Sequence, residues 1–406
     1  MKKKHQAKRI AFPILGSAIA LLFVFFACDF EASKIGRTIG GSLAEGSILE
    51  NEFIEGGGSG GGLSTNLLHS GDLSLPQLSK NEIRKMLDDT DSKHLPSDPT
   101  QLYTELPSYK APYKAGKIKK EYLELTLARL NALRRFSGLP KVVMTDEYNN
   151  LAQHGAALMV ITQNFGHGSQ PVPDGLDKEN DFYKKGLEAT NRGNVYPQYP
   201  LIACIDGYNL DPGNPGVGHR LYQMSPGLHA VGIGSAIKKK DASGKETGLG
   251  GNVEVVTYTR APAGQEPKPF DWKFVSYPSS GYFPLKGSLF GNPASWSIKL
   301  NTNHYAKIGD KANEVAAKDV AVSLIRTSDG ATWKFFAGCN TGHFSAGGDT
   351  IIFRILKENP DYPGQDNKRI DHQYKDGEIY QVQLHGLKDK SGNPVDFAFE
   401  TEFFTP

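Results

Sequence analysis

Apolar residues recur at helical spacing in the middle of the chain and alternate with polar residues towards its end. Leu123, Leu127 and Leu130 stand three or four positions apart, which predicts a helix. Gly138 and Pro140 follow this stripe and predict its end, as a C-cap and a breaker. Further helices are predicted after residue 145 and near residues 178–192 and 199–210.

Two strands, Leu228–Ile237 and Asn252–Arg260, are predicted after these helices. Helices followed by strands indicate an α+β unit in which helices pack on a small sheet. Beyond residue 286 the pattern changes to short strands separated by turns, which predicts an all-β sandwich. The predicted strands are Ser295–Leu300, Val320–Arg326, Thr332–Phe336, Thr350–Leu356, Ile379–Leu384 and Phe397–Phe404.

The stretch Asp211–Pro226 joins the predicted helices to the predicted sheet. Its first eight residues hold two prolines and three glycines, so neither a helix nor a central strand is expected. We predict a rigid loop that presents His219 at the head of the strand Leu228–Ile237, an arrangement from which binding and catalytic sites are often built. The neighbouring Arg220 could pair with an acid, bind an anionic ligand or make a structural ion pair.

The first 27 residues have the form of a secretory signal. Five cations precede an apolar run from Ile10 to Ala27. The run ends at Cys28 and resembles a bacterial lipobox, which predicts lipidation of Cys28 and export to the cell membrane or the outer membrane. A transmembrane anchor is the alternative. Removing this segment changes the net charge from +2 to −3, and neither value indicates a nucleic-acid partner.

Residues 28–116 are predicted to be a disordered tether, with one short helix near Asn81–Leu87. The tether contains the run GGGSGGG at residues 56–62, a composition typical of flexible linkers. Folded domains are predicted at 117–285 and 286–406, in keeping with a length of 406 residues. Cys204 and Cys339 fall in different domains, which favours two buried free thiols over a disulfide.

Several segments of the first domain together resemble a CAP domain, also called an SCP or cysteine-rich secretory protein domain. NALRRFSGLP at 131–140, AQHGAA at 152–157 and His167 resemble its first part. VGHR at 217–220 and VGIG at 231–234 are similar to its second histidine segment in bacterial members. The resemblance covers about residues 117–280. The C-terminal sandwich resembles the Ig-like β-domain that follows CAP domains in some bacterial proteins.

The resemblance implies an α-β-α sandwich with a cleft of two histidines and two acids, a set that can bind zinc. Carried onto this sequence, the histidines are His167 and His219 and the acids are Glu188 and Asp211. Glu188 stands in GLEA where the family has GEN, and Asp211 stands in YNLD where the family has WYxE. Aspartate is one methylene shorter than glutamate, which puts Asp211 in question.

Three functions are compatible with these residues. The first is a lipid-anchored protein whose cleft binds a lipid, a sterol or a cell-wall ligand without turnover. The second is a metal-dependent hydrolase of peptide or cell-wall material, since histidine and carboxylate ligands suit zinc and also acid–base chemistry. The third is surface display or adhesion. The sequence contains neither an HExxH helix nor a Gly-x-Ser-x-Gly elbow, and this favours the first function.

Overall fold

The computed structural model describes most of the chain after residue 66. The described residues are 67–197, 201–212, 214–237, 250–257, 261–265, 268–290, 294–309, 315, 317–357, 360–361 and 370–406. The predicted signal segment, Cys28 and the glycine run at 56–62 lie outside them. In the described part no helix is long and apolar enough to cross a membrane.

The fold is mixed α/β and contains several sheets. The α-helices of the described residues are α1 Lys80–Asp89, α2 Lys120–Phe136, α3 Asp146–Thr162, α4 Asp181–Arg192, α5 Leu201–Leu210 and α6 Gly218–Gln223. The strands are β1 Tyr103–Glu105, β2 Lys117–Ile118, β3 Val143–Met144, β4 Gly193–Tyr196, β5 Ala230–Ala236, β6 Gly251–Thr257, β7 Phe274–Tyr277, β8 Gly281–Pro284, β9 Trp296–Leu300, β10 Ala321–Arg326, β11 Thr332–Phe335, β12 Gly342–Gly347, β13 Thr350–Lys357, β14 Ile370–Asp371, β15 Ile379–Lys388 and β16 Pro394–Phe404.

A four-stranded sheet in the order β3-β5-β6-β4 carries helices on both of its faces. Side chains of alternate β5 residues point to opposite faces, as strand geometry requires. Val231 joins a core that includes residues of α2 and α5. Gly232 lies against α3, where an added Cβ would come within 2.1 Å of the Tyr148 carbonyl oxygen. Helix α3 therefore packs directly on the backbone of β5.

The C-terminal part consists of two sheets packed face to face. One has the order β11-β10-β15-β16-β8 and the other the order β12-β13-β9-β7, with β14 paired to β13. Aromatic rings meet between them, with 5.0 Å separating the centroids of Phe335 and Phe353 and 5.0 Å those of Phe274 and Phe399. Alternate burial along β15 gives this strand one core face, as its sequence pattern predicts.

The sandwich begins earlier than the predicted boundary at residue 286. Strand β7 pairs with β9, and β8 pairs in parallel with the C-terminal strand β16. Both strands come from the segment 274–284, which carries Pro278 and Gly281 and was predicted to belong to the first domain. Strand β12, which the sequence did not predict, forms a hairpin with β13.

Residues 67–116 are folded, so the predicted tether does not extend through them. Helix α1 confirms the short helix predicted near Asn81–Leu87 and begins with a capping box between Ser79 and Glu82. Its Ile83 is 1% exposed and belongs to the core that also contains sandwich residues. Leu102 is fully buried. This segment is therefore part of the folded body.

The stretch Asp211–Pro226 was predicted to be a loop throughout, and the structure corrects this. Helix α6 occupies Gly218–Gln223 within it. The first N–H groups of a helix lack partners inside the helix. The carboxylate of Asp211 accepts a hydrogen bond from the backbone N–H of His219 at 3.0 Å, which supplies one such partner. The glycines and prolines therefore precede a short helix that carries His219.

Both cysteines of the described residues are free thiols. Cys204 is buried on α5, and its Sγ–H donates to the Leu201 carbonyl at 2.7 Å. Cys339 is only half-buried, beside the start of β12. The prediction of two free thiols holds, whereas full burial holds for Cys204 alone.

His372 is a buried histidine between the two sheets of the sandwich, with 3% of its surface exposed. Its ring centroid lies 4.9 Å from that of Tyr374 and 5.0 Å from that of Trp333. Burial, reinforced by the charge of Lys357, lowers the pKa of His372 from 6.5 to about 4. Because the folded pKa lies below the unfolded one, this group contributes stability above pH 6.5. That contribution is lost as the pH falls from 6.5 through about 4.

Replacing His372 by phenylalanine is expected to reduce the acid sensitivity of the fold. The pKa change predicts that the wild type loses about 3 kcal/mol more free energy of unfolding than His372→Phe over this pH range. Urea unfolding at several pH values measures the difference. His385→Gln, at a half-buried histidine paired with Asp396, is the control for removing a histidine from the sandwich surface. Equal slopes for His372→Phe and the wild type would contradict the prediction.

Candidate functional site

The structure brings His167 and His219 together from distant parts of the sequence. His167 lies in the loop after α3, and His219 lies in the first turn of α6. The two imidazole centroids are 5.8 Å apart, and the ring planes make an angle of 24°. Tyr208 of α5 lies behind the pair, with its ring centroid 5.6 Å from that of His219. The two histidines carried over from the resemblance are therefore neighbours.

Each imidazole is oriented through its Nδ1 atom. The Nδ1 of His167 lies 3.0 Å from the Thr190 carbonyl oxygen, and that of His219 lies 2.9 Å from Oδ1 of Asp211. A carbonyl and a carboxylate can only accept hydrogen bonds, so Nδ1 carries the proton in both neutral rings. The lone pair of each neutral ring is then on Nε2. The fold thus fixes one tautomer for both histidines.

The charge state of His167 is set mainly by its surroundings. Burial lowers its pKa below the usual value, and the nearby His219 lowers it further. The Thr190 carbonyl opposes this shift by stabilising the protonated ring. His167 is therefore neutral at physiological pH and able to accept a hydrogen bond or a metal ion.

Asp211 lies at the turn between α5 and α6 and contacts His219 twice. Its backbone is in the left-handed region, with φ of 47°, and 6% of its surface is exposed. Besides its two bonds to His219, its Oδ2 accepts from Nδ2 of Asn214 at 3.1 Å. The left-handed turn brings the carboxylate to His219 directly, so the shorter aspartate side chain is long enough for this contact.

Glu188 lies on the exposed side of α4. Its carboxylate forms an ion pair with Arg192, one helical turn later. The buried side of α4 is formed by other residues, among them Gly186 and Ala189. The prediction placed Glu188 in the cleft, whereas the structure pairs it with a cation of its own helix.

A different acid, Glu254, lies behind the site. It stands on β6 between Val253 and Val255, and 1% of its surface is exposed. Asn194 of β4 donates to its Oε2 at 3.1 Å and to the backbone carbonyl of His219 at 3.3 Å. Burial raises the pKa of Glu254 to about 7. The only sequence signal for this residue was a lone acid among the valines of a predicted strand.

The donor set can be tested against zinc. Two neutral imidazoles with Nε2 lone pairs suit zinc, and water could complete the coordination shell. In the part of the chain that the structure describes, no three His, Cys, Asp or Glu side chains are grouped to hold a metal ion. Among these described residues the pair offers a metal ion two imidazole ligands, whereas a catalytic zinc site has three protein ligands. A structural zinc site would need four.

Comparison with protein-family models, with curated proteins and with solved structures finds no match to this chain. Membership of the CAP family therefore stays a prediction from the sequence segments given above.

Proposed function

We propose that this chain is an exported, lipid-anchored protein of the CAP type, with an Ig-like C-terminal domain, that binds a ligand without turnover. The observation that carries the proposal is the His167–His219 pair, in which both Nδ1 atoms donate hydrogen bonds that fix the tautomers. Helices on both faces of the four-stranded sheet and the two-sheet sandwich support the domain assignments. The signal-like residues 1–27 and Cys28 support export and lipidation.

The polar atoms of the pair itself favour an envelope-derived ligand with a hydrogen-bonding group, such as a cell-wall fragment. In the neutral rings of His167 and His219 the Nε2 atoms are hydrogen-bond acceptors. A wholly apolar lipid or sterol would offer them no donor. A cavity of about 640 Å³ lies elsewhere, between α1 and the C-terminal residues, and its walls include Arg84 and Lys286.

A metal-dependent hydrolase acting on peptide or cell-wall material is the second candidate. The Asp211–His219 hydrogen bond favours it, because a carboxylate that orients an imidazole is a recurring feature of general bases. If zinc binds to His167 and His219, it would lower the pKa of a bound water. A bound metal would occupy Nε2 of His219. This histidine could therefore hold or transfer a proton at Nε2 only when the site is free of metal.

Zinc titration calorimetry on the chain from residue 29 onward tests the site. Wild-type protein is expected to bind Zn²⁺, and His167→Gln and His219→Gln are expected to abolish binding. Asp211→Asn should weaken binding 10- to 100-fold, as loss of a group that orients a metal ligand typically does. Because the pKa of His167 is lowered, protons should compete at that ring only below pH 6.5.

His154→Gln is the matched control, because His154 lies on α3 with its Nδ1 2.8 Å from the Asn150 carbonyl of the same helix. Undiminished zinc binding by both site variants would contradict the proposal. Release of fragments from cell-wall material by the wild type, with loss of that release in His219→Ala, would favour the hydrolase. Release that survives His219→Ala would exclude a hydrolase working through this residue.

A further inference from the structure

Arg220 is fully buried directly beside His219 and binds the end of another helix. Its Nε donates to the Asn209 carbonyl at 2.5 Å, and its Nη2 donates to the Leu210 carbonyl at 3.2 Å. The last carbonyls of a helix lack partners within the helix, and a cation is favourable at this end. Burial lowers the pKa of Arg220 to about 10, so it remains cationic at neutral pH. Arg220 therefore caps α5, which ends immediately before Asp211.

The same guanidinium also binds the C-terminal sandwich. Its Nη1 donates to the Ser295 carbonyl at 2.5 Å and lies 3.3 Å from the hydroxyl oxygen of Ser297 on β9. The Cζ atom of the guanidinium lies 4.6 Å from the centroid of the Tyr277 ring on β7. These partners accept hydrogen bonds or offer a ring face, and none of them is a carboxylate. The contacts therefore fix the planar group in one orientation between the two parts of the fold.

Asp211 and His219, which share a hydrogen bond, are each adjacent in sequence to a residue that the Arg220 contacts fix in place. Asp211 follows Leu210, whose carbonyl binds the guanidinium, and His219 precedes Arg220 itself. A hydrogen bond of 2.9 Å between Asp211 and His219 weakens steeply if either partner moves or rotates. The separation of these partners is therefore set by the guanidinium and by the sandwich strand on which it rests.

We propose that Arg220 is a positioning residue through which the C-terminal sandwich holds Asp211 and His219 in register. In this arrangement the sandwich fixes the geometry of the histidine site in addition to forming a separate part of the fold. The consequence for ligand binding rests on the proposed function. The effect on the His219 tautomer does not depend on it.

The test replaces Arg220 by lysine, which keeps the charge but cannot bond α5 and β9 at the same time. Nitrogen NMR of the ring of His219 in the chain from residue 29 onward reports which ring nitrogen carries the proton. The expected result is a mixture of tautomers in Arg220→Lys, in place of the single Nδ1–H form of the wild type. Zn²⁺ affinity is expected to fall 10- to 100-fold.

Arg129→Lys is the matched control. Arg129 is also buried, and it bonds through two atoms at 2.7 Å to Asp206, a side chain in the middle of α5, without contacting the end of that helix. This variant should lose stability but keep the His219 spectrum of the wild type. A purely structural role for Arg220 would give the same result in both variants, and a wild-type His219 spectrum in folded Arg220→Lys would overturn the proposal.

A variant that does not fold and a wild type that binds no Zn²⁺ lead to different conclusions. If Arg220→Lys does not fold, Ser297→Ala removes one of its sandwich contacts and should still give a partial tautomer shift. An unchanged His219 spectrum in that variant would then overturn the proposal. If wild-type protein binds no Zn²⁺, the zinc-binding site fails, while the His219 spectra still decide the positioning role.

Discussion

A chain shortened to residues 117–406 is expected to lose its cooperative fold. This cut follows the domain boundary predicted from the sequence, yet it removes Ile83, Leu87, Leu95 and Leu102, all of which are buried. At about 2 kcal/mol for each side chain, the gross loss of burial is about 8 kcal/mol. The free energy of unfolding of a whole domain is only about 5–15 kcal/mol. The remaining chain would also expose the apolar surfaces that these residues cover.

The cut would also leave buried polar groups without partners. The Leu87 carbonyl accepts from Arg129, and the Ala115 carbonyl accepts from Gln153 at 2.7 Å. Thermal unfolding followed by circular dichroism measures the effect, and a chain beginning at residue 67 is the control. The control should unfold at the same temperature as the chain from residue 29. A single sharp transition of 117–406 at that temperature would show that residues 67–116 are dispensable.

The sequence pattern predicts some elements of this fold and misses others. Helical periodicity predicted α2 and α3, and alternation predicted β15 and most other sandwich strands, because these elements bury a continuous face of their own. Apart from α1, residues 67–116 lack such a face and contribute only a few apolar side chains to a core built mainly from later residues. Proline and glycine interrupt the segment 274–284, so the sequence pattern did not predict strands β7 and β8. Strand pairing over long sequence separation overrides these local signals.

The candidate site divides in a similar way. The resemblance indicated His167, His219 and Asp211, and the structure brings the histidines together and joins Asp211 to His219. Glu188 differs because a helix offers it a partner four residues away, Arg192, on the exposed side. The role of Arg220 could not be predicted, since its partners Asn209 and Ser295 belong to different elements. Long-range hydrogen bonds leave no local pattern in a sequence.

Substituting Gly232 by alanine is expected to destabilise the protein by about 3 kcal/mol or more, the upper range for overpacking. Gly232 lies on β5, on the face of the sheet that packs against α3. An added Cβ would lie 2.1 Å from the carbonyl oxygen and 2.2 Å from the carbonyl carbon of Tyr148. These are backbone atoms of a helix and cannot rotate away as the end of a side chain can. Relief requires α3 to move away from the sheet, and His167 follows that helix after a short turn.

Urea unfolding of Gly232→Ala against Gly347→Ala isolates this packing effect. Gly347 also lies in a strand, at the end of β12, but its added Cβ would meet no atom within 4 Å. Both substitutions reduce the backbone entropy of the unfolded chain by a similar amount, so only the contact with α3 separates them. Gly347→Ala should therefore leave stability unchanged or raise it slightly, whereas Gly232→Ala should lower the urea midpoint markedly. Equal midpoints for the two variants would mean that α3 can shift without loss of stability. The packing of α3 on β5 would then not fix the position of His167.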